Sequence, residues 1–294
     1  MKNRYGIILT YSTLLIIASC KKNEIPVIPE DITDTFSATP LTEDGNYKGL
    51  TTVLGTTNEH ASNAPVIIPI NGKIGFVVLG ASNSKYEGDV LIQKVNAREV
   101  HEDLVVRNCA TSSKDINDWI DPDNACWYNA LNLLGDLQPE EVQIVWFQTD
   151  DLMTTSTLFP DEPLALKEKI IEAVDLMKET FPNLKQVYGS GRSYTGYAEA
   201  LQHQEPKGYY TGWSWKWVVE DQIHGILPLD MPWISDEIYL WTDEEQIRSD
   251  GFQMLEEDYM TGGVHLTERG NEKVADYIIE RLQTMESSSY WFNP

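Results

Sequence analysis

Basic residues, histidines and cysteines are scarce in this chain of 294 residues. Acidic residues number 46 against 22 basic ones, which gives a formal charge of −24 at pH 7. Such a charge repels phosphate backbones, so nucleic acid is not expected as a partner. The five histidines are scattered, and no cysteine and histidine cluster has the spacing of a zinc site. We therefore predict neither a bound metal nor a cofactor.

Long apolar runs are also missing, except at the N-terminus. Lys2 and Arg4 precede the mostly apolar residues 7–18, and Ile17-Ala18-Ser19-Cys20 closes the segment. This order predicts a secretory signal peptide over residues 1–19. Because its cysteine follows small residues, the end looks like a bacterial lipobox with lipidation at Cys20.

A lipidated Cys20 would tether the exported chain to a membrane of the bacterial cell envelope without crossing it. A plain signal peptide or one membrane helix is the alternative, although the run is short for a span of about 20 residues. Residues 20–45 are rich in Pro, Asp, Thr and Glu and predict a flexible tether. Residues 46–294 are long enough for one domain with a substantial core.

Cys109 and Cys126 remain in a compartment that permits disulfides. We predict a bridge between them, which would stabilise the domain by constraining the unfolded chain. The alternative is two small buried thiols.

From residue 74 onwards, segments typical of strands and helices alternate. Apolar runs predict buried strands at residues 74–79, 104–106, 142–147 and 186–188. Apolar stripes predict helices at residues 90–100, 125–134, 166–181 and 274–285. The alternation predicts an α/β fold with three α/β/α layers and a central parallel sheet. Active groups in such sheets gather beyond the carboxyl ends of the strands.

One serine and one histidine stand out against this framework. Gly80-Ala81-Ser82-Asn83-Ser84 directly follows the first predicted strand, and His265 lies near the C-terminus in Gly262-Gly263-Val264-His265-Leu266. An early strand-end serine with a late histidine is the layout of a serine hydrolase on an open α/β sheet. The alternative is an ordinary turn in which Ser82 caps a helix.

The order of these blocks resembles the SGNH (GDSL-like) hydrolase superfamily, and more narrowly a secreted branch whose nucleophile lies in Gly-x-Ser-Asn. The resemblance runs from about Tyr47 to the C-terminus and implies a flavodoxin-like topology for the parallel sheet. Further stretches that match this branch are Gln143-Ile144-Val145-Trp146, Phe181-Pro182-Asn183-Leu184, Arg192-Ser193-Tyr194-Thr195-Gly196-Tyr197, Lys216-Trp217-Val218-Val219-Glu220-Asp221-Gln222, Arg248-Ser249-Asp250-Gly251 and Gly263-Val264-His265-Leu266.

The resemblance implies that Ser82 is the nucleophile and His265 the general base. The family's acid usually lies three residues before the histidine, where this chain has Gly262. Asp258 is the nearest acid in the same loop and is expected to take its place, with Asp250 as a second candidate.

The resemblance also implies an oxyanion hole made by the Ser82 N–H, a second backbone N–H and an Asn amide. The second N–H would come from Thr111-Ser112-Ser113, so Ser112 and Ser113 are candidates. The Asn position falls at Asp150 or Asp151, and because an ionised carboxylate donates no hydrogen bond, Thr149 and Gln148 are alternative donors.

Two further features could contact a substrate. Arg192 follows a predicted strand and would bind a carboxylate or sulfate, or else bond loop carbonyls. The aromatic run is either a sugar-stacking platform or part of the packing; it comprises Tyr209, Tyr210, Trp213, Trp215 and Trp217.

The sequence thus predicts a lipid-anchored serine ester hydrolase of SGNH type that acts on an acylated carbohydrate or another small ester. The alternative is a surface lipoprotein on the same scaffold, weakened or inactive in catalysis, that binds a glycan or a protein partner.

Overall fold

A five-stranded parallel sheet forms the centre of the domain. The computed structural model describes residues 46–47, 50–51, 64–242, 248 and 250–294. The predicted signal peptide, Cys20 and the predicted tether lie outside the described residues. The strands are β1 Ile74–Gly80, β2 Leu104–Asn108, β3 Val142–Gln148, β4 Gln186–Ser190 and β5 Trp233–Ser235. A separate antiparallel pair joins Asn46–Tyr47 to Leu50–Thr51.

The strand order is β2-β1-β3-β4-β5, and every neighbouring pair is parallel. This is the flavodoxin-like doubly wound order, in which the connections from β1 and β3 leave towards opposite sides. Their carboxyl ends border the crevice where such sheets place their active groups. Ser82 follows β1 and residues 149–151 follow β3, so the topology brings both to this crevice.

Seven helices cover the sheet within the described residues. They are α1 Ser82–Asn96, α2 Ile116–Trp119, α3 Ala125–Leu133, α4 Asp161–Thr180, α5 Lys207–Ile223, α6 Glu268–Thr284 and α7 Ser289–Phe292. Helices α1, α6 and α7 pack on one face of the sheet and α2 to α5 on the other. The predicted three-layer α/β/α architecture is confirmed.

Alternate residues of β1 enter opposite layers, which explains its unbroken apolar run. Phe76 and Val78 join the core with α1 and α6, whereas Val77 and Leu79 join the core with α3 and α4. A strand covered on both faces has no solvent side on which polar residues would be favoured.

Helix α1 begins at Ser82 and ends at Asn96, whereas the apolar pattern predicted a helix over residues 90–100. Its first two turns are mostly polar and carry no apolar stripe, so hydrophobic periodicity does not mark them. Strand β5 was not predicted because it has only three residues.

The aromatic run lies within α5 and is buried. Its exposed fractions are 0% to 4%, so these side chains do not form an open platform for sugars. Most of them pack with Tyr239 and Trp241 in an aromatic cluster. The packing interpretation is therefore confirmed.

The structure contradicts the predicted disulfide, because Cys109 and Cys126 are both free thiols. Both side chains are fully buried in the core that packs β3 against α3 and α4. The Cys126 thiol donates to the Asp118 carbonyl at 3.5 Å. Burial raises the pKa of each thiol to about 12. The alternative of two small buried thiols is the one observed.

No helix in the described part of the chain combines the length and apolar character that crossing a bilayer requires.

These thiols should be unreactive until the domain unfolds. In a soluble form of residues 21–294, we expect a thiol-specific dye to label neither cysteine under native conditions, because both are buried and protonated. Addition of denaturant without reductant should expose two thiols per chain. Detection of fewer than two thiols per unfolded chain would show that Cys109 and Cys126 form a disulfide.

Candidate active site

The turn after β1 places Ser82 at the start of α1. Gly80 ends the strand with φ +130°, and a Cβ there would lie 2.1 Å from the Gln148 carbonyl oxygen. Only glycine fits this turn without displacing β3. The N-cap of α1 is Ala81, which makes no side-chain cap, so Ser82 is the first helical residue. The interpretation of Ser82 as a helix cap is wrong.

The Ser82 hydroxyl faces His265. The distance from Ser82 Oγ to His265 Nε2 is 2.8 Å, although 183 positions separate the two residues in the chain. With Nε2 unprotonated, Ser82 donates this hydrogen bond. A base poised on a hydroxyl in this way is the basic unit of nucleophilic catalysis by serine.

Tyr86 packs its ring against the imidazole one turn along α1 from Ser82. The two ring centroids are 5.4 Å apart and the ring planes meet at 81°. This edge-to-face contact limits the orientations that the imidazole can adopt.

The His265 ring is held neutral by its surroundings. Burial lowers the pKa of His265 below its ordinary value of 6.5, and the positive charge of Arg192 lowers it further. Both effects disfavour the imidazolium. His265 is therefore unprotonated near neutral pH, as a general base must be.

The predicted acids do not reach the imidazole. Asp258 is fully buried, with one oxygen bonded to Leu255 N and Lys273 Nζ at 2.8 and 2.5 Å and the other 3.1 Å from Arg269 Nε. This carboxylate holds the start of α6 instead of facing the histidine. Asp250 pairs with Arg248. The predictions that Asp258 or Asp250 supplies the acid are therefore wrong.

Nor does another acid replace them in the described part of the chain, where no carboxylate bonds Nδ1 of His265. Within the described residues Ser82 and His265 therefore form a dyad, and the position three residues before the histidine is Gly262.

The Ser82 N–H, the first predicted oxyanion donor, lies at the N-terminus of α1. The first hydrogen bond of the helix runs from Lys85 N to the Ala81 carbonyl at 3.0 Å, so the Ser82 N–H precedes the helical ladder. The positive end of the helix dipole lies at the same place and favours a developing negative charge.

The loop after β2 carries the second predicted donor. The Thr111 N–H bonds the Gly80 carbonyl at 2.9 Å, which ties this loop to the turn before Ser82. Ser112 and Ser113 are exposed, and Ser113 has φ +62°. Glycine adopts this left-handed conformation most easily, so the serine at position 113 holds a backbone geometry that is uncommon for a residue with a side chain.

Neither Asp150 nor Asp151 supplies the third predicted oxyanion donor. Asp150 is 3% exposed and accepts from Arg192 Nη1 at 2.5 Å. Asp151 accepts from Asn117 Nδ2 at 2.9 Å and Lys169 Nζ at 2.5 Å. Burial alone would raise the pKa of Asp151, but these hydrogen bonds hold it below its usual value. The predicted role of Asp151 in binding the oxyanion is therefore not supported.

Thr149 and Gln148, the alternative donors, are also buried. The Thr149 hydroxyl makes a long hydrogen bond of 3.4 Å to the Asp150 carbonyl, and Gln148 Nε2 one of 3.5 Å to the Gly191 carbonyl. Both contacts are long, and Gln148 also hydrogen-bonds the side chain of the buried Glu87.

Arg192 is built into the site and does not project from it. Its side chain is 6% exposed, and beyond Asp150 its Nη2 donates to the Val264 carbonyl at 3.0 Å. This agrees with the interpretation of a structural arginine that bonds a loop carbonyl. Binding of a substrate anion is disfavoured, because Asp150 already neutralises the guanidinium.

Glu87 is a buried carboxyl that the sequence analysis missed. It is fully buried, and burial raises its pKa to about 7, against the opposing effects of Arg192 and Gln148. Asn83, which bonds the Val264 carbonyl at 2.9 Å, was missed as well. Helical spacing could have indicated these residues. Asn83, Tyr86 and Glu87 stand at positions i, i+3 and i+4 of the helix that begins at Ser82, and such positions share one face.

An open depression of about 480 Å³ lies beside the histidine loop. Its lining includes Tyr197, Glu199, Glu256, Glu257 and Gly263. In the part of the chain that the structure describes, no group of three or more His, Cys, Asp or Glu side chains is placed to hold a metal ion.

No protein-family model matches the chain, and no curated protein matches it significantly. Several solved structures are similar to it. A GDSL-like lipase from Bacteroides thetaiotaomicron is 12% identical with a TM-score of 0.43, over 72% of this chain and 89% of that one. A member of the lipolytic protein G-D-S-L family from Veillonella parvula is 13% identical with a TM-score of 0.41, over 72% and 99%.

A salicylyl-acyltransferase from a tetracycline biosynthetic pathway is 11% identical with a TM-score of 0.42, over 74% of this chain and 56% of that one. The first two proteins bear the name of the family that the sequence motifs resemble. Because these identities and TM-scores are low, the interpretation of the site rests on the geometry of this chain.

The buried Glu87 should make stability depend on pH. Its folded pKa of about 7 lies above the ordinary 4.5, so between these pH values the folded protein keeps a proton that the unfolded chain releases. The contribution of Glu87 to stability is therefore greatest below pH 4.5 and falls as pH rises towards 7. We expect Glu87→Gln to raise the free energy of unfolding relative to wild type by roughly 2–3 kcal/mol more at pH 8 than at pH 5.

Urea unfolding at both pH values measures this difference. Glu141→Gln is the control, and its effect on the free energy of unfolding should change with pH in the opposite direction. The reason is that hydrogen bonding from Gln138 N lowers the pKa of Glu141. A Glu87→Gln difference that does not change with pH would contradict the assignment.

Proposed function

We propose that this protein is a serine ester hydrolase of SGNH type that works through the dyad of Ser82 and His265. The observation that carries the proposal is the 2.8 Å contact between Ser82 Oγ and His265 Nε2 at the carboxyl edge of the sheet. Ser82 Oγ attacks the ester carbonyl while His265 takes the hydroxyl proton. His265 then gives this proton to the leaving alcohol and activates the water that hydrolyses the acyl-enzyme.

The dyad predicts a slow enzyme. A carboxylate on the far ring nitrogen would stabilise the imidazolium formed during attack, and in serine proteases its loss costs about 10⁴-fold in kcat. Here burial and Arg192 disfavour the imidazolium. Catalysis thus relies on orientation and on the Ser82 N–H at the start of α1.

Small uncharged esters are the proposed substrates, among them acylated carbohydrates. The formal charge of −24 and the Glu199, Glu256 and Glu257 side chains in the depression disfavour anions. Arg192 is a weak counter-charge for an anion, because it is paired with Asp150.

Two observations favour a second candidate, a surface protein that binds a glycan or a protein partner without turnover. Nδ1 of His265 has no carboxylate partner among the described residues, and Asp150 stands where an amide donor is expected. Both features weaken catalysis without altering the fold.

We also propose that the protein is exported and anchored through a lipid on Cys20. The order of charge, apolar run and Ile17-Ala18-Ser19-Cys20 supports this placement. Esters at the cell surface or in the periplasm are then the accessible substrates.

The hydrolase proposal predicts that a soluble form of residues 21–294 hydrolyses 4-nitrophenyl acetate. We expect Ser82→Ala and His265→Ala each to lower kcat/KM by at least ~10². Because the pKa of His265 is lowered, the acidic limb of the kcat/KM profile should have its midpoint below pH 6.5.

Ser289→Ala is the matched control, because Ser289 is likewise the first residue of a helix, α7. Its activity should equal that of wild type. Equal rates in wild type and Ser82→Ala would exclude the hydrolase, and binding to a glycan array would then support the second candidate.

The anchoring proposal predicts that full-length protein made in a bacterium partitions into the detergent phase. Mass spectrometry should find an acylated Cys20 at the mature N-terminus. Cys20→Ser should abolish both the detergent partitioning and the acyl mass, because the lipid is attached through the Cys20 thiol. The anchoring proposal would be contradicted if wild-type protein stayed in the aqueous phase and its mass showed no acyl group.

A further inference from the structure

The carbonyl of Val264, the residue directly before His265, receives two side-chain hydrogen bonds. Asn83 Nδ2 lies 2.9 Å from it and Arg192 Nη2 lies 3.0 Å from it. Asn83 is the neighbour of the nucleophile on α1, and Arg192 follows β4. The loop that carries the base is thus bonded to two separate elements of the site.

These bonds matter because the imidazole is not oriented by a carboxylate of the described residues. Across the described residues, no carboxylate bonds its Nδ1. In a Ser-His-Asp triad the acid holds the ring in its tautomer and direction, and loss of that hold is costly. The direction of His265 therefore depends on the backbone that carries it and on the packing of Tyr86.

The loop is internally stiff. Met260 N bonds the His265 carbonyl at 2.8 Å, and Gly263 N bonds the Met260 carbonyl at 2.9 Å. A Cβ on Gly263 would lie 1.9 Å from the Tyr197 carbonyl oxygen, so the two backbones touch. This stiffness fixes the shape of the loop, and the Asn83 bond ties the loop to the helix that carries Ser82.

The two donors are suited to this task. Asn83 is 6% exposed and Arg192 5%, so water does not compete strongly for the carbonyl. Asp150 holds the guanidinium from the other side at 2.5 Å. The rigid fork of arginine thus connects Asp150 to Val264, which a flexible lysine would reproduce poorly.

We propose that Asn83 and Arg192 are positioning residues that orient His265 through the Val264 carbonyl. They supply the orienting part of what a bonded carboxylate does in a triad, without contact to the ring. This proposal rests on the hydrolase proposal for its catalytic consequence, but its structural consequence can be measured without turnover.

The test uses the full-length protein in a mild detergent and two measurements. The first is kcat and KM for 4-nitrophenyl acetate, and the second is the ¹⁵N chemical shift and pKa of the His265 ring by NMR. Ser82→Ala gives the reference shift of an imidazole without its hydroxyl partner.

Asn83→Asp keeps the shape of the side chain but replaces its donor with a carboxylate that repels the carbonyl. We expect it, and more mildly Asn83→Ala, to lower kcat by about 10- to 100-fold with little change in KM, because a small misplacement of the base is costly. The His265 ring nitrogens should shift towards the Ser82→Ala reference.

Arg192→Lys should lower kcat while leaving the pKa of His265 low, because the charge remains and the fork is lost. Arg192→Gln should lower kcat and also raise the pKa of His265, because the guanidinium lowers it. When both sites are substituted together, the effects on kcat should be less than additive, since both donors act on one carbonyl.

Two matched controls separate positioning from general damage. Asn183→Ala removes an amide that bonds the Glu140 carbonyl at 2.8 Å, and Arg107→Gln removes a guanidinium that bonds the Leu134 and Val106 carbonyls. Both should leave kcat and the His265 shift unchanged.

The outcomes distinguish the two proposals. If wild type shows no turnover but Asn83→Asp shifts the His265 ring, the hydrolase proposal fails and the positioning proposal stands. If wild type turns over and folded Asn83 variants keep both kcat and the wild-type ring shift, the positioning proposal is overturned. If Arg192→Gln does not fold, the results for Asn83→Asp and Arg192→Lys still decide the positioning proposal.

Discussion

The packing of α1 against α6 is the constraint on which the site depends. Both helices cover the same face of the sheet, so the turn that begins α1 and the loop that precedes α6 meet beyond the end of β1. Ser82 belongs to the turn and His265 to the loop. Their 2.8 Å contact spans 183 positions and exists only when the whole doubly wound domain is folded. The chemistry is therefore assembled by topology and is not contained in any one segment.

Electrostatic balance around Arg192 sets the character of this site. One guanidinium lies among Asp150, which bonds it, Glu87, whose pKa burial raises to about 7, and His265, whose pKa burial and this cation lower. Asp150 neutralises most of the charge that would otherwise attract a substrate anion. The surroundings favour the neutral imidazole as a proton acceptor, but give little support to the imidazolium that must form next.

Much of the fold could be predicted because β1 and β3 are covered on both faces, which leaves unbroken apolar runs in the sequence. Ser82 and His265 could be predicted from local motifs. The contacts of Asn83 and Arg192 with Val264 could not, because each joins elements that are distant in the chain. Asp258 is close to His265 in sequence, but the chain turns its carboxylate towards Lys273 and Arg269 on α6. The free thiols of Cys109 and Cys126 likewise depend on tertiary packing, which cysteine spacing does not encode.

The attachment of Val264 to Asn83 has a mechanical consequence. Asn83 adjoins Ser82, so the nucleophile and the anchor of the base share the first turn of one helix. Arg192 holds the same carbonyl from the end of β4, so a displacement of either α1 or β4 is passed to His265 through one backbone group. The separation of Ser82 and His265 therefore depends on how far apart these two elements lie.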